Sequence, residues 1–223
     1  MTATARPPIQ VKICGIKDQA AANAAAAACA DYVGINSYPR SPRYLPVEQV
    51  APLIAPLTMP VVGVVVDGDD DLLTRLVAAG ITIIQAHGAE DPARCADIQR
   101  RFAVPVIKAV AINHERTVDH AFRDYAQAAT MLLFDTPRTS PQAMPGGSGQ
   151  PANWDALAQG LKQARTPALP WFLAGGLTAE TLPEAVTRTG ARMVDVASGV
   201  ERTRGMKDPA LITQFIERAR ALG

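Results

Sequence analysis

A single (β/α)₈ TIM barrel of the α/β class is the fold this sequence predicts, and three observations predict it. Short apolar, β-branched runs alternate eight times with longer helical runs along 223 residues, the pattern of a parallel sheet with helical crossovers. The short runs do not alternate apolar with polar residues, as expected when both faces of each strand are covered. The length suits one barrel with a sizeable core and is short for two domains. The main rival, an open doubly wound sheet, would carry a GxGxxG turn after its first strand. Here Cys14-Gly15-Ile16-Lys17-Asp18 has one glycine.

The elements follow in order. A flexible tail is expected over 1–9, small, polar and proline-containing, and the barrel over 10–223. The first strand, 10–13, gives way to an alanine-rich helix over 18–29, and strand 32–34 leads to helix 47–55. Strands 61–66 and 81–85 precede helices 70–79 and 91–102, the latter opened by Asp91 as a cap. Strands 106–109 and 131–134 precede helices 117–128 and 153–165, with Asn153 as the second cap. Strands 171–173 and 193–196 precede helices 178–189 and 208–222, capped by Thr178 and Asp208. The longest loop, 136–151, is rich in Pro, Gly and Ser. A loop of that length in a compact barrel reads as a functional lid.

Composition excludes several classes of function. The formal net charge is +1 and no run of Lys or Arg forms a patch, so neither nucleic acid nor a membrane surface is an expected partner. Aromatics are 5% of residues, too few for a base-stacking surface. Cys14, Cys29 and Cys95 form no CxxC pair, which argues against a zinc or redox motif and against a disulfide framework. No signal-like or membrane-spanning stretch is evident, and a cytoplasmic protein is expected.

In such a barrel chemistry gathers just after the strands, on one face. Cys14 stands there after the first strand, and after the second comes a proline-stiffened loop with Arg40 and Arg43. The fourth strand leads to His87, the sixth to Asp135, and Asp195 lies in the eighth. Gly175-Gly176 and Ser198-Gly199 follow the seventh and eighth. Small residues there let backbone amides approach a ligand, and these two loops of barrels commonly bind phosphate.

These strand ends carry seven motifs in order: VKICGI, SYPRSPRYL, IQAHG, LLFDT, GGSG…W, LAGGL and VDVASGVE…GMKD. With them the chain resembles the phosphoribosylanthranilate isomerase family of tryptophan biosynthesis over nearly its whole length. The resemblance implies a barrel of the ribulose-phosphate-binding type, a small phosphosugar substrate and an Amadori rearrangement without metal or other cofactor. It implies Cys14 as general base and Asp135 as general acid. It also implies Arg43 on the anthranilate carboxylate, His87 and Asp195 in the substrate pocket, and Gly175, Gly176, Ser198 and Gly199 on the phosphate. A monomer or homodimer is expected.

Two chemical requirements accompany those roles. The Cys14 thiol needs a basic neighbour to ionise near neutral pH, and Lys12 lies in the same segment. Asp135 must hold a proton to act as an acid, which desolvation under the 136–151 loop would favour. The loop departs from the usual GGTGKTFDW, Asp67 stands where the family commonly has asparagine, and Ala197 where it commonly has serine. A sister isomerase of histidine biosynthesis, or a dual-substrate barrel, uses aspartate in place of Cys14. A non-catalytic phosphate-binding barrel would not need Cys14, Arg43 and Asp135 together.

Overall fold

The structure, a computed structural model, describes residues 7–112, 114, 116–135, 153–165 and 169–223. The expected lid lies outside the described residues. Eight parallel strands close into a barrel in sequence order. They are β1 (Gln10–Cys14), β2 (Tyr32–Asn36), β3 (Val61–Val65), β4 (Ile83–Ala86), β5 (Val106–Ala111), β6 (Met131–Asp135), β7 (Trp171–Leu173) and β8 (Met193–Val196). The helices are α1 (Gln19–Ala27), α2 (Val50–Ile54), α3 (Asp70–Ala78), α4 (Pro92–Phe102), α5 (Arg116–Tyr125), α6 (Trp154–Gln163), α7 (Leu182–Thr189) and α8 (Pro209–Arg220).

Side chains alternate between two cores along each strand. Outward residues such as Val11, Ile13, Val33, Ile84, Leu132, Phe134 and Val194 pack against the helices in one large cluster. Inward residues Val62, Ile83, Ile107, Met131, Leu133, Phe172 and Ala174 form a second cluster, joined by Tyr32, Ala109 and Met193. Tyr32 meets Phe172 edge-on at 5.4 Å within it. This plug fills the barrel, so the polar inward residues nearer the strand ends face the loops at the C-terminal mouth.

The capping residues behave as their chemistry requires. Asp18, Asp69, Asp91, Asn153 and Asp208 each accept a backbone N–H of the first turn they open. Three expected elements differ. The second helix is a 3₁₀ turn, Val47–Gln49, followed by five α-helical residues, because Pro46, Pro52 and Pro56 remove donors at close spacing. The seventh helix begins at Leu182, with Pro183 in its first turn, and Thr178 instead shares reciprocal hydrogen bonds with Thr181 ahead of it. Cys29, expected as the last residue of the first helix, is exposed in a left-handed turn at φ 58°, because α1 has already ended at Ala27.

One element was not expected from sequence. Strands β9 (Glu201–Thr203) and β10 (Met206–Lys207) form an antiparallel hairpin after β8. Gly205 turns it at φ +81°, where an added Cβ would lie 2.5 Å from the Pro42 carbonyl oxygen. The hairpin therefore rests on the loop after β2 that carries Arg43. No helix among the described residues is long and apolar enough to cross a membrane.

Candidate active site

Cys14 is the last residue of β1 and is buried, with its side chain turned into the barrel. Gly34 on β2 pairs with it in register. A Cβ at Gly34 would stand 3.0 Å from Cys14 Sγ and 3.2 Å from Lys12 Nζ, so glycine there opens the space both groups occupy. Gly15, at φ +80°, does the same on the other side: its added Cβ would lie 2.5 Å from Arg43 Cδ. Only glycine lets the arginine stem cross β1 beside the thiol.

Lys12 points inward beneath the thiol and is fully buried. Its ammonium donates to Asp195 Oδ1 on β8 at 2.8 Å and is within hydrogen-bonding reach of Cys14. Burial pulls this ammonium down, but the charges of Asp195 and Cys14 outweigh that and hold it above its ordinary value. Lys12 thus sets its ammonium, paired with Asp195, under the thiol. Burial pushes the Cys14 thiol up; Lys12 and Lys207 oppose the rise, while the Asp195 carboxylate adds to it. The basic neighbour that the chemistry demands is thus present, shared with a carboxylate that blunts its effect.

Three strands round the barrel from β1, Asp135 ends β6 and is buried. His87, just after β4, places Nε2 3.3 Å from Asp135 Oδ2. The other ring nitrogen, Nδ1, lies 2.7 Å from Nε2 of the fully buried Gln85. The loop holding His87 is anchored from behind. Glu90 accepts the backbone N–H of Asp67 at 2.7 Å and of Gly88 at 2.8 Å, and Lys108 donates to Glu90 at 3.1 Å and to the Gly88 carbonyl at 2.8 Å.

Arg43 is buried, and Glu201 on β9 accepts from its Nε at 2.6 Å and from Nη2 at 3.0 Å. That bidentate pair fixes one edge of the guanidinium fork and leaves the other edge for a further acceptor. Glu201 also accepts from Lys207 Nζ at 3.0 Å and from the Gly205 N–H at 2.9 Å. Burial would raise the Glu201 carboxyl, but its cationic partners hold it below its ordinary value. Two buried cations share one carboxylate here, so the cluster favours one more anion. Arg40, by contrast, is an exposed loop charge.

The loops after β7 and β8 approach each other closely at Gly199. Gly175 and Gly176 take φ +86° and +64°. The 3₁₀ turn Ser198–Val200 brings Gly199 so near that an added Cβ would be 1.9 Å from the Leu177 carbonyl oxygen. No side chain fits there, and the two backbones are held together beside Asp195. Sequence reasoning named Cys14, Arg43, His87, Asp135, Asp195 and these glycines, and the structure gathers all of them at the C-terminal mouth. It did not single out Gln85, Glu201 or Lys207, which stand inside the quoted motifs but acquire meaning only from their partners.

A closed (β/α)₈ barrel with a thiol, a carboxyl, an imidazole and a buried arginine at one mouth is an enzyme built for proton transfer on a small anionic substrate. Residues 11–218 match the family model described as N-(5'phosphoribosyl)anthranilate (PRA) isomerase. A relative from Cereibacter sphaeroides, named N-(5'-phosphoribosyl)anthranilate isomerase, is 41% identical over 215 residues, 95% of this chain and 99% of its own. The crystal structure of phosphoribosyl anthranilate isomerase from Thermotoga maritima superposes with a TM-score of 0.81 at 30% identity, covering 96% of this chain and all of that one. Another solved isomerase, in complex with reduced 1-(o-carboxyphenylamino)-1-deoxyribulose 5-phosphate, gives a TM-score of 0.78 at 29% identity, covering 96% of this chain and 100% of that one. The chain belongs to the N-(5'-phosphoribosyl)anthranilate isomerase family.

Proposed function

We propose that this enzyme converts N-(5'-phosphoribosyl)anthranilate to 1-(2-carboxyphenylamino)-1-deoxyribulose 5-phosphate in tryptophan biosynthesis, with Asp135 as general acid and Cys14 as general base. The observation that carries the reading is a family match across the whole barrel, in a chain that keeps a thiol over a buried ammonium at the end of β1. An aspartate at that position would mark the sister isomerase of histidine biosynthesis.

The rearrangement needs a proton at the furanose ring oxygen and removal of one from C2. Asp135 gives its proton to the ring oxygen, the C1–O bond breaks, and a Schiff base forms. The Cys14 thiolate, faced by Lys12, takes the C2 proton and leaves an enolamine. Ketonisation returns the protons: the thiol protonates C1, and the enol hydroxyl gives its proton to Asp135. Both groups finish as they began. Arg43, steered by Glu201, receives the anthranilate carboxylate on its open edge. The phosphate lies against the amides of Gly175, Gly176, Ser198 and Gly199, and Asp195 faces the sugar chain. Three unpaired cysteines agree with a cytoplasmic setting.

The test is a spectroscopic assay with freshly made phosphoribosylanthranilate, comparing wild type with Cys14→Ser and Asp135→Asn. Each substitution is expected to lower kcat by about 10²-fold or more, the range of lost general acid–base catalysis. Full activity in either variant removes that residue from its role. Turnover of the histidine-pathway substrate alone would make the chain the sister enzyme.

A further inference from the structure

We infer that Lys207 is a positioning residue: its buried ammonium ties the turn proposed to hold the phosphate to the carboxylate that aims Arg43, and so sets the span between the two ends of the substrate site. The inference rests on the proposed placement of the phosphate and of the anthranilate carboxylate. Its geometry is one donor shared between two acceptors. Lys207 Nζ donates to the Ala197 carbonyl at 2.7 Å and to Glu201 Oε1 at 3.0 Å.

At the phosphate end the ammonium does what the backbone does poorly. The 3₁₀ turn Ser198–Val200 opens at Ala197, whose carbonyl oxygen lies 3.5 Å from the Val200 nitrogen. A good backbone hydrogen bond is about 2.9 Å long and weakens beyond that. The short bond to this oxygen comes from Lys207. Lys207 thereby fastens the turn that carries Gly199 against the Leu177 carbonyl. At the other end, the same Glu201 oxygen also accepts from Arg43 Nε at 2.6 Å. One ammonium stands between the turn and the guanidinium fork, and neither can shift without straining a bond to it.

The local backbone is built to aim this side chain. Met206 pairs with Thr203 in the β9–β10 hairpin, and an unbroken ladder would next set Lys207 opposite Arg202. A register shift between Met206 and Lys207 sets it opposite Glu201 instead, the re-aiming that a β-bulge performs. Met206 is left exposed, whereas the Lys207 side chain is wholly buried. Confining a lysine costs hydration and rotamer freedom, so its ammonium is held there by the partners it joins.

The experiment measures the affinity of reduced 1-(o-carboxyphenylamino)-1-deoxyribulose 5-phosphate and of its two halves, ribose 5-phosphate and anthranilate. Titration calorimetry is run on the full-length enzyme and on Lys207→Met. Each half seats at its own end whatever the span, whereas the whole ligand must reach both ends at once. Lys207→Met is therefore expected to weaken the whole ligand by roughly tenfold or more beyond the product of the losses seen for the halves. A lysine that serves only stability, or acts only by its charge, gives a loss no greater than that product, and this result overturns the inference. Wild type decides where the variant does not fold. In a crystal structure of its complex with the whole ligand, Lys207 Nζ should remain on both Ala197 and Glu201, and an ammonium that has left either one overturns the inference. A wild type that binds the whole ligand no more tightly than ribose 5-phosphate would instead sink the isomerase reading beneath it.

Discussion

Lys12 illustrates how one residue's surroundings decide its chemistry. A lysine two positions before a thiol on a strand shares its face, and only the closed barrel tells whether that face is inside. Here it is, and the ammonium is bracketed by Asp195 and Cys14. Coulomb attraction in a buried site favours the thiolate, whereas burial itself favours the thiol. Replacing Lys12 by Gln keeps a donor for Asp195 and removes the charge. The prediction is a further upward shift of the Cys14 titration, read from the pH dependence of alkylation in a Cys29→Ser background. An unchanged titration would show that Lys12 serves Asp195 alone.

Among elements, the loops carry the decisive geometry. The β7 and β8 loops are joined where Gly199 meets Leu177, so Gly199→Ala must force the two backbones apart. Because the amides proposed to hold the phosphate lie on both loops, KM for the substrate should rise about tenfold or more, with thermal stability reduced by a degree or several; an unaltered KM would remove the phosphate from this junction. The β3 loop shows the opposite tolerance. Asp67 occupies the left-handed region at φ 50° and accepts from Ala89 N–H at 2.7 Å. Asparagine adopts that conformation as readily and offers the same acceptor, which explains how the departure from the family's usual residue leaves the loop intact.

The molecule as a whole has two cores with different duties. The inner plug supports the polar mouth, and the outer shell between strands and helices holds the barrel closed. Cys95 belongs to the outer shell, fully buried on α4, and burial pushes its thiol up to about 11. A thiol raised on folding keeps its proton in the native state when the unfolded chain has lost it. Its contribution to stability is therefore complete below the unfolded value of 9.0 and is lost as pH climbs toward about 11. Urea unfolding from pH 8 to 10.5 should show a decline that Cys95→Ala flattens by about 2 kcal/mol. Parallel curves for the two proteins would deny the thiol that role.

Periodicity and capping residues made the barrel legible, because local propensity and two-sided burial leave the same signature wherever such strands occur. The strand-end residues Cys14, Arg43, His87, Asp135 and Asp195 were legible for a related reason: topology alone sends strand ends to one mouth. Short helices broken by closely spaced prolines, the β9–β10 hairpin and the exposed turn at Cys29 were not, since each depends on where the chain must go next. Nor were the partnerships. That Lys12 lies under the thiol, that Glu201 holds Arg43 while sharing Lys207, and that Gln85 faces His87 are facts of distance between residues far apart in the chain or turned by the pleat. The sequence by itself determined the fold and which side chains stand at the strand ends; the tertiary structure decided their neighbours and burial, because charge and hydrogen-bond energies depend on separations that only the closed barrel creates.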